Sequence, residues 1–224
     1  MSEVDRPQER SVKTDTLIDM LSTNVEPVDS GWVSRRLAAT VVIGIAIAAC
    51  LMILALGIRS DLTRVGVLSS LCLKLSFTGV VIVVASMALN KAMRPGGERR
   101  VPLMPIFFPF ICITLLAVIA LALAPSSHWQ AMLVGNQWLE CLVSIPLIAV
   151  VPFALLTWVV RQAAPTDLSR AGALVGLVAG GISATGYAIH CTEDAAPFVA
   201  LWYGATIALC TLVGLKLGPR LLRW

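Results

Sequence analysis

Six apolar stretches of about 20 residues each dominate this chain after residue 35. About 20 apolar residues in helical form cross a hydrocarbon core about 30 Å thick, and apolar runs of this length are not strands. The stretches predict transmembrane helices at about 37–57, 66–89, 103–124, 139–160, 171–190 and 198–217. Only 13% of the 224 residues are charged, against about a quarter in a soluble domain. The sequence therefore predicts an all-α integral membrane protein, a six-transmembrane-helix bundle behind a short N-terminal tail.

The tail, residues 1–35, is polar and charged, unlike residues 36–224, which form the predicted transmembrane domain. Within the tail, residues 14–20 predict a short helix with Leu17, Met20 and Leu21 on one face. A helix with so few apolar positions does not fold alone. Two interpretations stay open: a disordered tail that merely precedes the membrane, and a segment that orders on a partner.

Lysine and arginine are unevenly distributed among the predicted loops. They concentrate before span one, after spans two, four and six, and before span five: Arg35, Arg36, Lys91, Arg94, Arg99, Arg100, Arg161, Arg170, Lys216, Arg220 and Arg223. The opposite loops carry Arg59 and Arg64 and no other lysine or arginine. Because basic loops stay on the cytoplasmic side, both termini are predicted to be cytoplasmic, and the loops at 125–138 and 190–197 face the other side.

Two features inside the spans carry structural predictions. The four-residue spacing of Gly172, Gly176 and Gly180 puts small residues on one helix face, which permits close approach of another helix. Lys74 is an ionisable residue within span two and thus a functional candidate. Its side chain can instead snorkel outward to water, or form an ion pair with Glu140 at the mouth of span four.

Two of the six cysteines lie at span ends. Four lie within spans, where a thiol behaves as a small apolar group: Cys50, Cys72, Cys112 and Cys210. Cys141 begins span four and Cys191 ends span five, so both lie near the same outer membrane face. There they form either a disulfide-competent pair in an oxidising compartment or two unrelated interfacial cysteines.

Residues beside these two cysteines add a weaker, metal-binding interpretation. His190 adjoins Cys191, and carboxylates follow at Glu193 and Asp194, so the thiols, the imidazole and a carboxylate suffice for a soft-metal or zinc site. The spacings CxxC, CxxH and HExxH, which usually mark such a site, do not occur. A metal ligand set is therefore not assigned.

Motifs of known enzymes are missing from the sequence. It has no phosphate-binding glycine loop, metalloprotease helix or nucleophile elbow, so we expect no enzyme, no catalytic residue and no cofactor. A small-solute or metal transporter and a structural membrane subunit stay open as alternatives. A transporter usually has more buried polar residues or paired broken helices.

Six blocks along the chain resemble the NrsF family, the negative regulators of sigma F. They are TDTLIDML (14–21), GIRSDL (57–62), LKLSFT (73–78), NQWLECLVSIPL (136–147), HCTEDAAPFVALWY (190–203) and LGPRLLRW (217–224). The two blocks that contain Cys141 and Cys191 are the most specific. Proteins of this family are six-helix anti-sigma factors of the bacterial inner membrane.

The resemblance implies that the cytoplasmic tail sequesters an extracytoplasmic-function sigma factor, with no direct contact to nucleic acid. We expect Leu17, Ile18 and Leu21 to offer the apolar face that binds it. The resemblance also implies that Cys141 and Cys191 are needed for the response to oxidants or heavy metals. The resulting hypothesis is a membrane-bound anti-sigma factor that releases its sigma factor when these two thiols react.

Overall fold

A computed structural model describes residues 14–23, 31–57, 59, 65–94 and 104–223, and these residues are helical apart from their connections. The helices are α1 (Thr14–Ser22), α2 (Trp32–Ala55), α3 (Val65–Ala92), α4 (Met104–Leu123), α5 (Trp129–Val134), α6 (Trp138–Gln162), α7 (Leu168–Ala188), α8 (Ala196–Phe198) and α9 (Gly204–Leu221). A 3-10 turn (Ser126–His128) precedes α5, and a π-helical turn (Val199–Tyr203) joins α8 to α9. Residues 1–31 and 32–224 form two separate compact units.

Six helical segments are long and apolar enough to cross a membrane. They are α2, α3, α4, α6 with the short helices before it, α7, and the continuous segment from α8 to α9. The uninterrupted apolar runs set these lengths, and so the main helices begin and end within about five residues of the predicted spans. The prediction of an all-α chain with six such helices is confirmed for the described residues.

Helix α7 lies at the centre of the second unit. It packs against α2, α3, α6 and α9, and all but two of its residues from Ala171 to Ala188 are buried. It is also the least hydrophobic of the six segments, with a mean hydropathy of 1.4 against 1.9 to 2.9 for the others. A helix enclosed by other helices meets little lipid, so it can carry small and polar residues that a lipid-facing helix excludes.

Glycines bring α7 and α9 into backbone contact. A Cβ atom on Gly172 would collide with the carbonyl oxygen of Gly214, and one on Gly176 with the carbonyl oxygen of Cys210. A Cβ atom on Gly180 would lie 3.1 Å from the Cβ atom of Cys210. The predicted close approach along the glycine face is therefore confirmed, and the helix that approaches is α9.

The two ends of this unit differ in charge. We call the end that holds Cys141, Cys191 and the start of α8 the cysteine end, and the opposite end the basic end. The basic end carries the described residues Arg35, Arg36, Lys91, Arg94, Arg161, Arg170, Lys216, Arg220 and Arg223. Among described residues its only carboxylate is Asp167, which caps α7 by accepting from the Arg170 backbone N–H (2.9 Å). Arg64, Arg99 and Arg100, which belong to the predicted charge pattern, lie outside the described residues.

The contact between α7 and α9 gives a matched test of the fold. Gly176→Ala should lower the free energy of unfolding by about 1–3 kcal/mol, because the new methyl group meets the α9 backbone, which cannot yield as a side chain does. Gly79→Ala is the control, since a Cβ atom there has no neighbour within 4 Å. It should leave stability unchanged or raise it by up to about 1 kcal/mol. Thermal melting of both variants in detergent measures the difference, and equal melting would contradict the close helix contact.

Candidate functional site

The cysteine end brings Cys141 and Cys191 together. Cys141 lies in the first turn of α6, and Cys191 follows α7 by three residues. Both are buried free thiols at the same end of the bundle. Of the other cysteines, Cys210 is buried within α9, while Cys50, Cys72 and Cys112 are exposed on their helices. The two cysteines singled out from the sequence are thus the buried pair at this end of the fold.

Two connecting segments hold this pair in place, residues 135–137 before α6 and residues 191–195 after α7. The Thr192 backbone N–H donates to Gln137 Oε1 (2.9 Å), and the Asn136 backbone N–H donates to Glu193 Oε1 (2.7 Å). Gly135 has a φ of +58° and a ψ of −169°, a conformation that essentially only glycine adopts. A Cβ atom there would also meet the Glu193 side chain at 2.8 Å. Glu193 and Gln137 therefore serve as structural links between the segments.

A buried charged cluster lies directly against the Cys191 backbone. The Cys191 carbonyl oxygen accepts hydrogen bonds from Lys74 Nζ (2.9 Å) and from Arg59 Nη1 (3.0 Å). Both side chains are buried, Lys74 completely. Asp194 Oδ1 lies 3.0 Å from Arg59 Nη1 and 3.3 Å from Lys74 Nζ. We call this group, Arg59, Lys74, Asp194 and the Cys191 carbonyl, the Cys191 clamp.

Opposite charges hold the clamp together, because the Asp194 carboxylate compensates the charges of Arg59 and Lys74. Burial raises the pKa of the Asp194 carboxyl, but the hydrogen bond from Arg59, the nearby Ser70 hydroxyl and the Lys74 ammonium outweigh it, so that pKa lies below its usual value. Asp194 is therefore ionised near neutral pH, as two buried cations require. The clamp ties the end of α7 to α3 and to the segment that follows α2.

The position of Lys74 differs from two sequence interpretations. Its side chain does not reach outward to water, and it pairs with Asp194 rather than with Glu140. Glu140 is instead half-exposed and lies 4.0 Å from His190 Nε2, while His190 Nδ1 contacts the Gly57 carbonyl oxygen (3.1 Å). The carbonyl and carboxylate at the end of α7 satisfy the ammonium inside the protein, which removes the need to snorkel.

Arg59 was missed by sequence reasoning as a site residue. The sequence shows it only as a loop charge, although its side chain is 3% exposed and makes a bidentate contact to Asp194. The available signal was its position, since arginine is rare in the predicted loops on that side of the membrane. A basic residue on the side of a membrane protein that carries few lysines and arginines often has a buried partner.

Two tyrosines complete the surroundings of the thiols. Tyr187 and Tyr203 are fully buried, with ring centroids 6.1 Å apart, and their hydroxyl groups lie within electrostatic range of both thiols. Within the described part of the chain, no group of three or more His, Cys, Asp or Glu side chains is arranged to hold a metal ion. Disulfide formation and capture of a soft metal by two thiolates are the general reactions open to a pair of cysteines.

The clamp predicts a specific loss of stability on Asp194→Asn. The amide leaves two buried cations without their carboxylate, and we expect a cost of about 1–3 kcal/mol, below the value for a fully buried pair because Asp194 is 35% exposed. Glu140→Gln removes a carboxylate at the same end with 54% exposure and should have little effect. Thermal melting in detergent measures both variants, and equal melting temperatures would refute the clamp.

The stability difference between the unmodified protein and Asp194→Asn should depend on pH in a defined direction. Because the Asp194 pKa is lower in the folded protein, its contribution is present above the unfolded value of about 4 and is lost as pH falls through the lower folded value. The difference between the unmodified protein and Asp194→Asn should therefore be constant from about pH 5 to 8 and narrow only below about pH 4. Other titrating groups are common to both proteins and cancel.

Comparison with known proteins places the chain in a family. The family model described as NrsF, negative regulator of sigma F, matches residues 21–224. The anti-sigma-F factor NrsF of Caulobacter vibrioides is 31% identical over 215 residues, and the probable anti-sigma-F factor NrsF of Azospira oryzae is 29% identical over 213 residues. Each alignment covers 95% of this chain and 100% of the relative. No solved structure matches the chain. The chain therefore belongs to the NrsF family of negative regulators of sigma F.

Proposed function

We propose that this protein is an anti-sigma factor of the bacterial inner membrane, which sequesters an extracytoplasmic-function sigma factor and releases it under oxidative or heavy-metal stress. Its two relatives are named as an anti-sigma-F factor and a probable anti-sigma-F factor. Both alignments cover 95% of this chain. The role is regulatory rather than enzymatic. Cys141 and Cys191 are the proposed sensing residues, and α1 is the proposed binding segment for the sigma factor.

The charge difference between the two ends of the bundle supports a membrane orientation. Among the described residues, the basic end carries nine lysine and arginine residues. The cysteine end carries two, Arg59 and Lys74, and both belong to the clamp. By the positive-inside rule the basic end is cytoplasmic, and with it both termini. The two thiols then lie at the periplasmic face, where the compartment is oxidising.

The exposed apolar face of α1 is the observation that carries the proposed sigma-factor binding. Leu17, Ile18 and Leu21 are 47%, 56% and 67% exposed, although all three are large apolar side chains. The helix has nine residues, too few to be stable alone in water. An amphipathic helix of this kind gains stability by laying its apolar face into a groove on a partner protein.

The Cys191 clamp offers a route from the thiols to the rest of the bundle. Oxidation forms an S–S bond between Cys141 and Cys191, and two electrons and two protons pass to the oxidant. Bond formation moves Cys191, and so the carbonyl that Lys74 and Arg59 both contact. The change reaches α3 through Lys74, and the repacked bundle lowers the affinity of the tail for the sigma factor.

The free energy available from the thiol reaction has the order of magnitude that release of the sigma factor requires. Moving the sigma factor from mostly bound to mostly free requires about 5.5 kcal/mol of differential stabilisation. A disulfide typically contributes about 2–4 kcal/mol, and a metal site contributes more. Two thiolates are suitable ligands for soft heavy metals, so the same pair serves both signals.

The role of the thiols is tested by replacing each with serine. In cells carrying a reporter gene that depends on the sigma factor, Cys141→Ser and Cys191→Ser should each abolish induction by oxidant or heavy metal and fix the reporter in one state. Cys210→Ser is the control, because it removes another buried thiol far along α9. It should leave induction intact. Normal induction in both sensing variants, at normal protein levels, would exclude the proposed trigger.

The binding segment is tested with the full-length protein in detergent. Co-purification should recover one sigma factor, and Leu17→Glu or Leu21→Glu should weaken its binding at least about tenfold, because a buried leucine contributes about 1.5–3 kcal/mol. Thr16→Glu places the same charge on an exposed position of α1 outside the apolar set and should bind normally. If the unmodified protein recovers no sigma factor, sequestration is wrong, and the transporter alternative becomes the leading hypothesis.

A further inference from the structure

A lateral groove runs along the side of the bundle between α6 and α9. It has a volume of about 520 Å³, within the range of about 300–1,000 Å³ that ligand pockets occupy. Both helices pack on α7, whose Ala179 contributes to the lining. Apart from Thr157 and Arg161 the lining side chains are apolar, with Phe153 and Val213 on its two walls. The groove is therefore an apolar channel with one cation.

The groove is long enough to span the hydrocarbon region of one bilayer leaflet. Its lining on α6 extends from Pro146 to Arg161, and 15 residues at 1.5 Å each give about 22 Å. Half of a hydrocarbon core is about 15 Å thick. The groove thus accommodates an extended acyl chain and reaches the level of the lipid headgroup at its basic end.

The basic end of the groove presents positive charge. Arg161 is exposed, and its side chain donates to the carbonyl oxygen of Arg223 (3.4 Å), with no carboxylate partner among the described residues. Trp158 lies one turn earlier on the same face of α6 and is 62% exposed, as is typical of aromatic residues at a membrane interface. Lys216 and Arg220 of α9 are also exposed at this end.

A second groove on the other side of α7 provides a comparison. It lies between α4, α7 and α9, has a volume of about 540 Å³ and is also apolar, with Arg170 in its lining. Arg170, however, forms an ion pair with Asp167 at 3.0 Å, which offsets its charge. Charge complementarity therefore favours the groove at Arg161 as the site for an anion.

We propose that the groove between α6 and α9 binds one anionic phospholipid, with an acyl chain along Phe153 and Val213 and the phosphate group against Arg161. The proposal rests on the membrane location and orientation given under the proposed function. Basic pockets between helices at the cytoplasmic side of a membrane are suited to anionic headgroups. A lipid bound here contacts both α6, which carries Cys141 at its other end, and α9.

The test uses the purified full-length protein in a mild detergent, with phosphatidylglycerol or phosphatidylcholine of identical acyl chains as probes. Native mass spectrometry should show one phosphatidylglycerol retained in preference to phosphatidylcholine. Arg161→Gln should weaken phosphatidylglycerol binding about fivefold, the effect of one basic residue near the surface, and Arg161→Lys should keep the preference. Arg94→Gln, which removes an exposed charge at the same end but outside the groove, should bind like the unmodified protein.

A steric variant tests the acyl chain separately. Ala154 is exposed in the wall of the groove, so Ala154→Phe should fill it and reduce binding of both lipids. Equal retention of the two lipids by the unmodified protein would overturn the proposal. Unchanged binding in Arg161→Gln and Ala154→Phe would also overturn it, as would a lipid-free dimer that Ala154→Phe dissociates. Co-purification of the sigma factor with the same variants tests the proposed function independently, since either result can fail while the other holds.

Discussion

The direct backbone contact between α7 and α9 is the constraint on which the rest of this fold depends. Gly172 and Gly176 leave no side chain between the two helices, and a Cβ atom at either position would collide with the α9 backbone. Lipid gives helices no hydrophobic drive to associate, and close packing of small residues is what remains. Helices α2, α3 and α6 also pack on α7, and this enclosure accounts for a central helix that is the least hydrophobic of the six.

The site at the cysteine end is a consequence of where α7 stops. The segment after this helix exposes a carbonyl at Cys191 and a carboxylate at Asp194, and these two groups satisfy Lys74 and Arg59 from other elements. Buried ion groups contribute little net stability, because desolvation opposes their attraction, but they fix one arrangement against others. Because Lys74 of α3 contacts the Cys191 carbonyl oxygen, a chemical change that moves Cys191 would alter this contact.

The sequence predicts helices better than it predicts their partners. Long apolar runs determine span number and length locally, and the spacing of Gly172 and Gly176 indicates a contact face without naming α9. The partner of Lys74 could not be predicted in this way, because Asp194 is 120 residues away in the chain, and the position of Lys74 was compatible with water as well as with Glu140. Arg59 was missed for the same reason, since its burial arises only when the α7 end folds over it. The similar positions of Cys141 and Cys191 could be predicted because consecutive antiparallel helices of similar length bring the start of one near the end of the other.

The π-helical turn Val199–Tyr203 divides the last long helical segment into two rotational phases. A π turn takes in one residue more than an α-helical turn of the same rise, which rotates everything before it by about 100° relative to everything after it. Within the turn, Trp202 donates to the Leu133 carbonyl oxygen (2.9 Å), and its ring packs against that of Trp138 with centroids 5.2 Å apart. Beyond the turn, Gly214 faces α7. A shift of the π turn by a few residues would therefore rotate the part of the helix beside the thiols while the glycine contact with α7 stays in register.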